Sequence, residues 1–285
     1  VESQLDNATP TFQATAVENP GPVPVAASDA DDRQIVLSID GLVKRFGATT
    51  AVAGIDLAVR RGTIFGIVGP NGAGKTTTLS MVTGLLRPDD GHVSVYGADV
   101  WTKPGEAKRE MGVLPDRLRL FDRLTGAQLL FYYGTLRGLD RTTATERTAS
   151  LAAAFGLTDA LGRLVTDYSA GMTKKIAIAA AMIHAPRLLV LDEPFESIDP
   201  VSATTVVTIL RDYVAGGGTV VLSSHSMELV ERLCDDVAIV VSGAILASGT
   251  MADVVRGGTL TDRFIELAGP PAEGEGLAWL QRSSD

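Results

Sequence analysis

Much that would point elsewhere is scarce in this sequence. One cysteine, Cys234, stands among 285 residues, so no internal disulfide can form and the chain carries no framework suited to an oxidising compartment. Long apolar runs are missing too: the longest, Ile176 to Ile183, is far short of the ~20 residues that a membrane-crossing helix needs. There is no excess of base. The 25 Lys and Arg face 34 Asp and Glu, for a net charge of −9, which argues against the Lys/Arg-rich surface that wraps nucleic acid. The first thirty residues lack the basic-then-apolar order of a secretory signal. The cytosol is the expected compartment, with no nucleic-acid partner. Neither an internal repeat nor a heptad run appears.

What is present is ordinary globular material, 45% hydrophobic and 21% charged with a mean hydropathy of +0.19, enough for a substantial core. Residues 1–34 are rich in Pro, Ala, Thr and Asn, with six acids against Arg33 alone, and read as a disordered acidic tail. From Ile35 the texture changes to short β-rich runs, "IVLSID", "GLVKRF" and "AGIDLAV", expected to form an antiparallel sheet that feeds the strand "TIFGIV". Beyond it, "HVSVYG", "GVLP", "RLLVLDE", "TVVLSS" and "VAIVVSG" alternate with helical patterns, the signature of an α/β layer with parallel strands. Between Trp101 and His184 the pattern is nearly all helical, which suggests an inserted helical subdomain.

"GPNGAGKTTT" lies between the strand "IFGIV" and the helical pattern "TTLSMVTGLL". It spells G-x-x-x-x-G-K-[ST], with Gly69, Gly74, Lys75 and Thr76 at the diagnostic places around Pro70, Asn71, Gly72, Ala73 and Thr77. Glycines let the backbone wrap phosphate oxygens, the helix start presents free N–H groups, Lys75 brings charge and the Thr76 hydroxyl suits Mg²⁺. A chance match in a chain of this length arises roughly once in a hundred, and the strand-before, helix-after setting lowers that further. "RLLVLDEP" then delivers Asp192 and Glu193 to a strand end, where open α/β sheets bind ligands. Asp192 suits Mg²⁺ through water, and Glu193 suits the polarisation of an attacking water. His225 in "VLSSHS" ends another strand, placed to hydrogen-bond a γ-phosphate oxygen. His92 and His184 lack such a setting and receive no role.

The phosphate loop, then "YSAGM", "LVLDEP", "SIDP" and "SSH", in this order and spacing, resemble the ATP-binding cassette (ABC) ATPase family over about residues 35–257. The resemblance implies an α/β fold: a P-loop NTPase core with a mostly parallel sheet, an N-terminal antiparallel β subdomain and a helical subdomain inserted at about 102–186. It also implies that Tyr168 to Met172 hold the places of the family's Leu-Ser-Gly-Gly-Gln signature, with Ser169 and Gly171 retained as the pair that approaches the γ-phosphate held by a partner subunit. Ala170 and Met172 depart from the pattern, and "YSxGM" followed by basic residues is the variant associated with drug, antibiotic and polymer exporters. Asp199 takes the place of the aspartate that crosses the dimer interface, and Phe46 that of the adenine-stacking aromatic. Asp116 stands where the family has a Gln that touches Mg²⁺ or the attacking water; a carboxylate there keeps metal affinity and gives up the hydrogen-bond donor.

By this resemblance the chain is an ATPase using ATP and Mg²⁺. Its partners would be a separate transmembrane permease, which would hold the chain at the inner face of the membrane, and a second ATPase subunit, identical or closely related. Export is the expected direction; import, and a soluble ABC machine acting on ribosomes or DNA, are the alternatives. "LTDRFIELAGP" is expected to form the short closing helix of the C-terminal segment 258–285, either as in many exporter ATPases or as a cover for the sheet edge, with a loose end from residue 270.

Overall fold

A computed structural model describes residues 35–116 and 120–269; the acidic N-terminal stretch and the segment from residue 270 lie outside the described residues. Two sheets organise the rest. The first is antiparallel, in the order β2-β1-β4-β5, and consists of β1 (Ile35–Phe46), β2 (Thr49–Arg60), β4 (Asp90–Val95) and β5 (Ala98–Asp99). The second has the order β10-β9-β3-β8-β7-β6, from β3 (Ile64–Val68), β6 (Met111–Leu114), β7 (Leu188–Leu191), β8 (Thr219–Ser224), β9 (Asp236–Val241) and β10 (Ala244–Thr250). Five of its strands run parallel, and β10 closes one edge antiparallel to β9.

Three details differ from the sequence expectation. "IVLSID" and "GLVKRF" are one long strand rather than two, bent at Gly41 (φ +57°), where the pairing with β2 shifts register between Ile39 and Leu42. "HVSVYG" belongs to the antiparallel sheet as β4, not to the parallel one. The reason is legible in its burial: Val93 and Val95 face inward while His92 is exposed, the alternation of a one-faced strand, whereas β3, β7 and β8 are buried at every position as strands covered on both faces must be. The third is β10, whose mixed sequence "AILASGT" carries little strand signal.

Each face of the parallel sheet has its own core. Phe65 and Ile67 of β3 point toward β1, β2 and β4 and toward Leu79, Met81 and Val82 of α1 (Lys75–Val82). Ile64 and Val68 point the other way, into a core shared with helices. After α2 (Pro104–Glu110), the chain between β6 and β7 holds α3 (Gly126–Leu136), α4 (Arg141–Ala154) and α5 (Ala170–Met182). The remaining helices are α6 (Pro200–Ala215), α7 (Met227–Leu233), α8 (Met251–Val255) and α9 (Leu260–Ala268). Phe155, fully buried where α4 ends, is representative of this second core; its truncation to Ala would cost about 3–5 kcal/mol. The closing helix α9 forms as expected but packs on α7 and α8: Leu260 is buried and its N–H donates to Glu231 of α7.

Helix starts separate into two kinds. From α3 onward each helix has a side-chain cap, for example the reciprocal Thr125–Gln128 capping box of α3. The start of α1 has none; its N-cap is Gly74, so the first N–H groups of the helix remain free to meet an anion.

Candidate nucleotide-binding site

The glycines of the phosphate loop are required before any ligand arrives. A Cβ on Gly69 would sit 2.0 Å from the Val240 carbonyl oxygen of β9, and one on Gly74 (φ +101°) would sit 2.4 Å from the Ala51 carbonyl oxygen of β2. The loop is thus wedged against backbone on both sides, and Gly243 N–H donates to Ala73 O to close the seam. Pro70, Asn71 and Gly72 form its exposed tip; Ala73 is buried, Thr76 exposed and Thr77 half-buried. Lys75 is 6% exposed, and its Nζ donates to Gly69 O (2.8 Å) and Pro70 O (3.1 Å). The ammonium therefore sits coiled inside its own loop, with carbonyl partners that phosphate oxygens would replace.

Two carboxylates stand opposite. Asp192 follows β7, is 3% exposed, and accepts the Ser223 hydroxyl and the Thr76 hydroxyl. Burial pushes its pKa up, these hydrogen bonds pull it down, and the negative charges of Asp116 and Glu193 push it up again. Thr76, Asp116 and Glu193 thus all lie close enough to Asp192 to act on its charge. Glu193 Oε1 lies 3.7 Å from Lys75 Nζ, and Oε2 lies 3.1 Å from Nδ1 of the exposed His225 just past β8. The Glu193 backbone is in the left-handed region (φ +45°), which a non-glycine residue adopts only under constraint.

The donor set suits a divalent cation. Asp192 is buried among like charges, an arrangement that a cation would relieve, and Thr76 adds a hydroxyl at the start of α1. Among the described residues no group of three or more His, Cys, Asp or Glu could hold a metal.

The "YSAGM" stretch is built differently. Tyr168 is buried; its hydroxyl donates to Ala160 O at 2.8 Å, and Gly126 makes room for it, since a Cβ there would lie 2.1 Å from the phenol oxygen. It anchors the helix start. Ser169 caps α5 by accepting from Met172 N–H at 3.3 Å, and Ser169 and Ala170 are exposed. A Cβ on Gly171 would lie 3.3 Å from Asp199 Oδ2. Asp199 itself caps α6 through Val201 and Ser202, and the Ser202 amide holds its carboxyl below the usual range. Among the described residues no hydrogen bond or ion pair joins Ser169 or Gly171 to residues 69–77. Phe46 ends β1 at 52% exposure, with Lys44 Nζ 5.7 Å from its ring centre. His184 is half-buried, bonded through Nε2 to Met111 O, and takes no part in the site. Two residues that sequence reading passed over, Ser223 and Lys174, touch the Glu193 backbone.

A glycine-wedged loop at the end of a central parallel strand, facing an Asp-Glu pair and a strand-end His, defines a P-loop nucleotide-binding ATPase. The family model described as ABC transporter matches residues 52–196, and the chain belongs to that family as an ATP-binding cassette. It is 40% identical over 218 residues to the daunorubicin/doxorubicin resistance ATP-binding protein DrrA of Streptomyces peucetius, covering 76% of this chain and 66% of that protein. The linearmycin resistance ATP-binding protein LnrL of Bacillus subtilis is 36% identical over 77% of this chain and 70% of its own. The ABC transporter ATP-binding protein NatA of the same organism is 38% identical, with 82% of its length covered. Among solved structures, an ATP binding subunit of an ABC transporter superposes with a TM-score of 0.77 at 28% identity, over 82% of this chain and 99% of that one. The chain thus spans about two thirds of the DrrA relative.

Proposed function

We propose that this chain hydrolyses MgATP as one of a pair of ATPase subunits and drives export through a separate permease, which holds it at the inner face of the membrane. The observation that carries the hydrolytic reading is the Glu193 carboxylate, held between Lys75 and His225 beside the phosphate loop. Loop N–H groups and Lys75 bind the β- and γ-phosphates. Glu193 takes the proton of the attacking water, and His225 holds the γ-phosphate and the water in line. Thr76 and Asp192, with Asp116 beside them, would hold Mg²⁺, whose charge would offset the charge developing on the phosphate. Phe46, exposed at a strand end, offers its ring to the adenine.

The export reading draws on the drug-resistance names of the relatives. It agrees with the absence, among the described residues, of any helix long and apolar enough to cross a membrane. The second subunit is supported by the outward-facing Ser169 and Ala170 at the start of α5, which with Gly171 would complete the partner's site, Asp199 lying alongside. The domain limits 35–257, with the helices of about 102–186 as an insertion, belong to the same proposal. Replacement of Glu193 by Gln tests it: nucleotide binding persists while turnover falls by about 10² or more, as loss of a general base predicts. Near-normal hydrolysis by that variant would remove Glu193 from the role.

A further inference from the structure

Glu193 is the residue whose position matters most to the proposed hydrolysis, and its backbone is strained. At φ +45° it occupies a region that costs a side-chain-bearing residue energy and persists only where the surroundings hold it. The hold is visible on both sides. The N–H of Glu193 donates to Ser223 Oγ at 2.9 Å, and the same hydroxyl donates to Asp192 Oδ1. The carbonyl of Glu193 accepts from Lys174 Nζ at 3.0 Å and from Glu196 N–H at 3.2 Å.

The two side chains come from different elements. Ser223 is fully buried in β8, two residues before His225. Lys174 is half-buried on α5, five residues past the Ser169 cap. We propose that Lys174 and Ser223 are positioning residues that clamp the Glu193 peptide groups, so that the carboxylate points at the attacking water only while α5 is seated against the end of β7. This rests on Glu193 being the base of the proposed ATPase.

The clamp has a directional consequence. Ser223 ties Glu193 to the neighbouring strand of the same sheet, a rigid anchor. Lys174 ties it to the helix whose first turn carries Ser169 and Gly171. A shift of α5 that brings those residues to phosphate also moves the ammonium that holds the base. Ser169 and Gly171 contact nucleotide in the proposed function; Lys174 acts only through Glu193.

The test uses the full chain and steady-state MgATP hydrolysis, with Glu193→Gln as reference. Lys174→Met removes the donor and keeps the length of the stem. The expected result is a fall in kcat of about 10- to 10²-fold, the range that misplacement of a reacting group produces, with KM for ATP and the melting midpoint unchanged. Lys174→Arg, which restores a donor of similar reach, recovers most of the rate. Ser223→Ala lowers kcat in the same way and, because it strips the fully buried hydroxyl from both the Glu193 N–H and Asp192, also lowers the melting midpoint; Ser223→Thr keeps the hydroxyl and the rate. Combined with Glu193→Gln, Lys174→Met leaves ATP-driven dimer formation intact; its loss would show that Lys174 serves the signature contact and would overturn the clamp. Wild-type kcat in Lys174→Met, with Glu193→Gln inactive, overturns the clamp and leaves the hydrolytic reading standing. Normal turnover by Glu193→Gln overturns both. Equal losses for the Met and Arg variants together with a lowered melting midpoint reduce Lys174 to a packing residue and overturn the proposal.

Discussion

The start of α1 is enclosed by its own chain's chemistry, whereas the start of α5 is capped by Ser169, which is exposed together with Ala170, while Gly171 is buried beside the Asp199 carboxylate. At α1 the glycine N-cap, the buried Lys75 and the Glu193 carboxylate lie within one cluster of contacts. At α5 the first turn holds Ser169, Ala170, Gly171 and Met172, with no basic residue. An uncompensated helix start favours an anion by about 0.3–1 kcal/mol at an exposed site. That is far too little to recruit a nucleotide. In the proposed pairing, such a helix start would act on phosphate only once something else had brought it there, which is the physical content of a site completed by a second subunit.

Separate lesions at the two ends break the comparison most sharply. Lys75→Ala removes charged hydrogen bonds worth about 1.5–3 kcal/mol, so ATP affinity of the isolated chain should fall by about 10- to 10²-fold, read by fluorescent-nucleotide titration. Gly171→Asp should leave that affinity unchanged and abolish the ATP-driven dimer trapped by Glu193→Gln, read by light scattering. Its new carboxylate faces Asp199 as well as any incoming phosphate, and like charges repel. Equal loss of monomer affinity in both variants would mean that the signature serves its own chain's nucleotide.

The same two ends show why only part of the molecule is legible in the sequence. The α1 site is written in consecutive residues, 69–77, because a strand, a loop and a helix start follow one another along the chain. Asp192, Glu193 and His225 are also legible, as residues at the ends of parallel strands that the hydrophobic pattern reveals. What joins them is not. Nothing local about Ser223, one of two serines before His225, says that it bonds Asp192 and Glu193 together. Lys174 reads as one of a basic pair after the signature, and only the packing of α5 on the sheet aims it at a carbonyl 19 residues away. The glycines illustrate a different gap: Gly69 and Gly74 are where phosphate chemistry predicts them, yet the structure gives them a prior reason in the approach of β9 and β2 backbone. The run that forms β4 reads from sequence as a parallel strand because a short apolar run does not reveal its partner; its alternation is the better guide.

A smaller effect sharpens the α5 side. Tyr168→Phe deletes the hydroxyl that bonds Ala160 O, leaving a buried carbonyl without that donor. Unfolding in urea should show a loss of about 1 kcal/mol with monomer ATP affinity unchanged. A matching loss of affinity would mean that the anchoring of α5 is felt at α1, and the two ends would no longer count as independent.

The smallest expected effect lies just beyond the other end of α5, at His184. Burial pushes this imidazole down to about 4 from an ordinary 6.5, the Arg137 and Arg147 charges push the same way, and the Met111 carbonyl opposes them. The ring is therefore neutral in the fold at pH values where the unfolded chain already binds a proton. His184 thus contributes stability that is fully present above about pH 6.5 and is lost as pH falls toward about 4. Because the ring is only half-buried, solvent screening discounts the full shift, and a loss of about 1 kcal/mol or less is expected between about pH 7 and about pH 5. His184→Gln keeps a side-chain donor for Met111 O and cannot titrate, so its urea midpoint should fall less over that interval than the wild type's. If the two midpoints fall in parallel, His184 is not the group behind the loss over that interval; the capping carboxyls of Asp199, Asp140 and Asp262, held below their usual range, give up their contribution only at still lower pH.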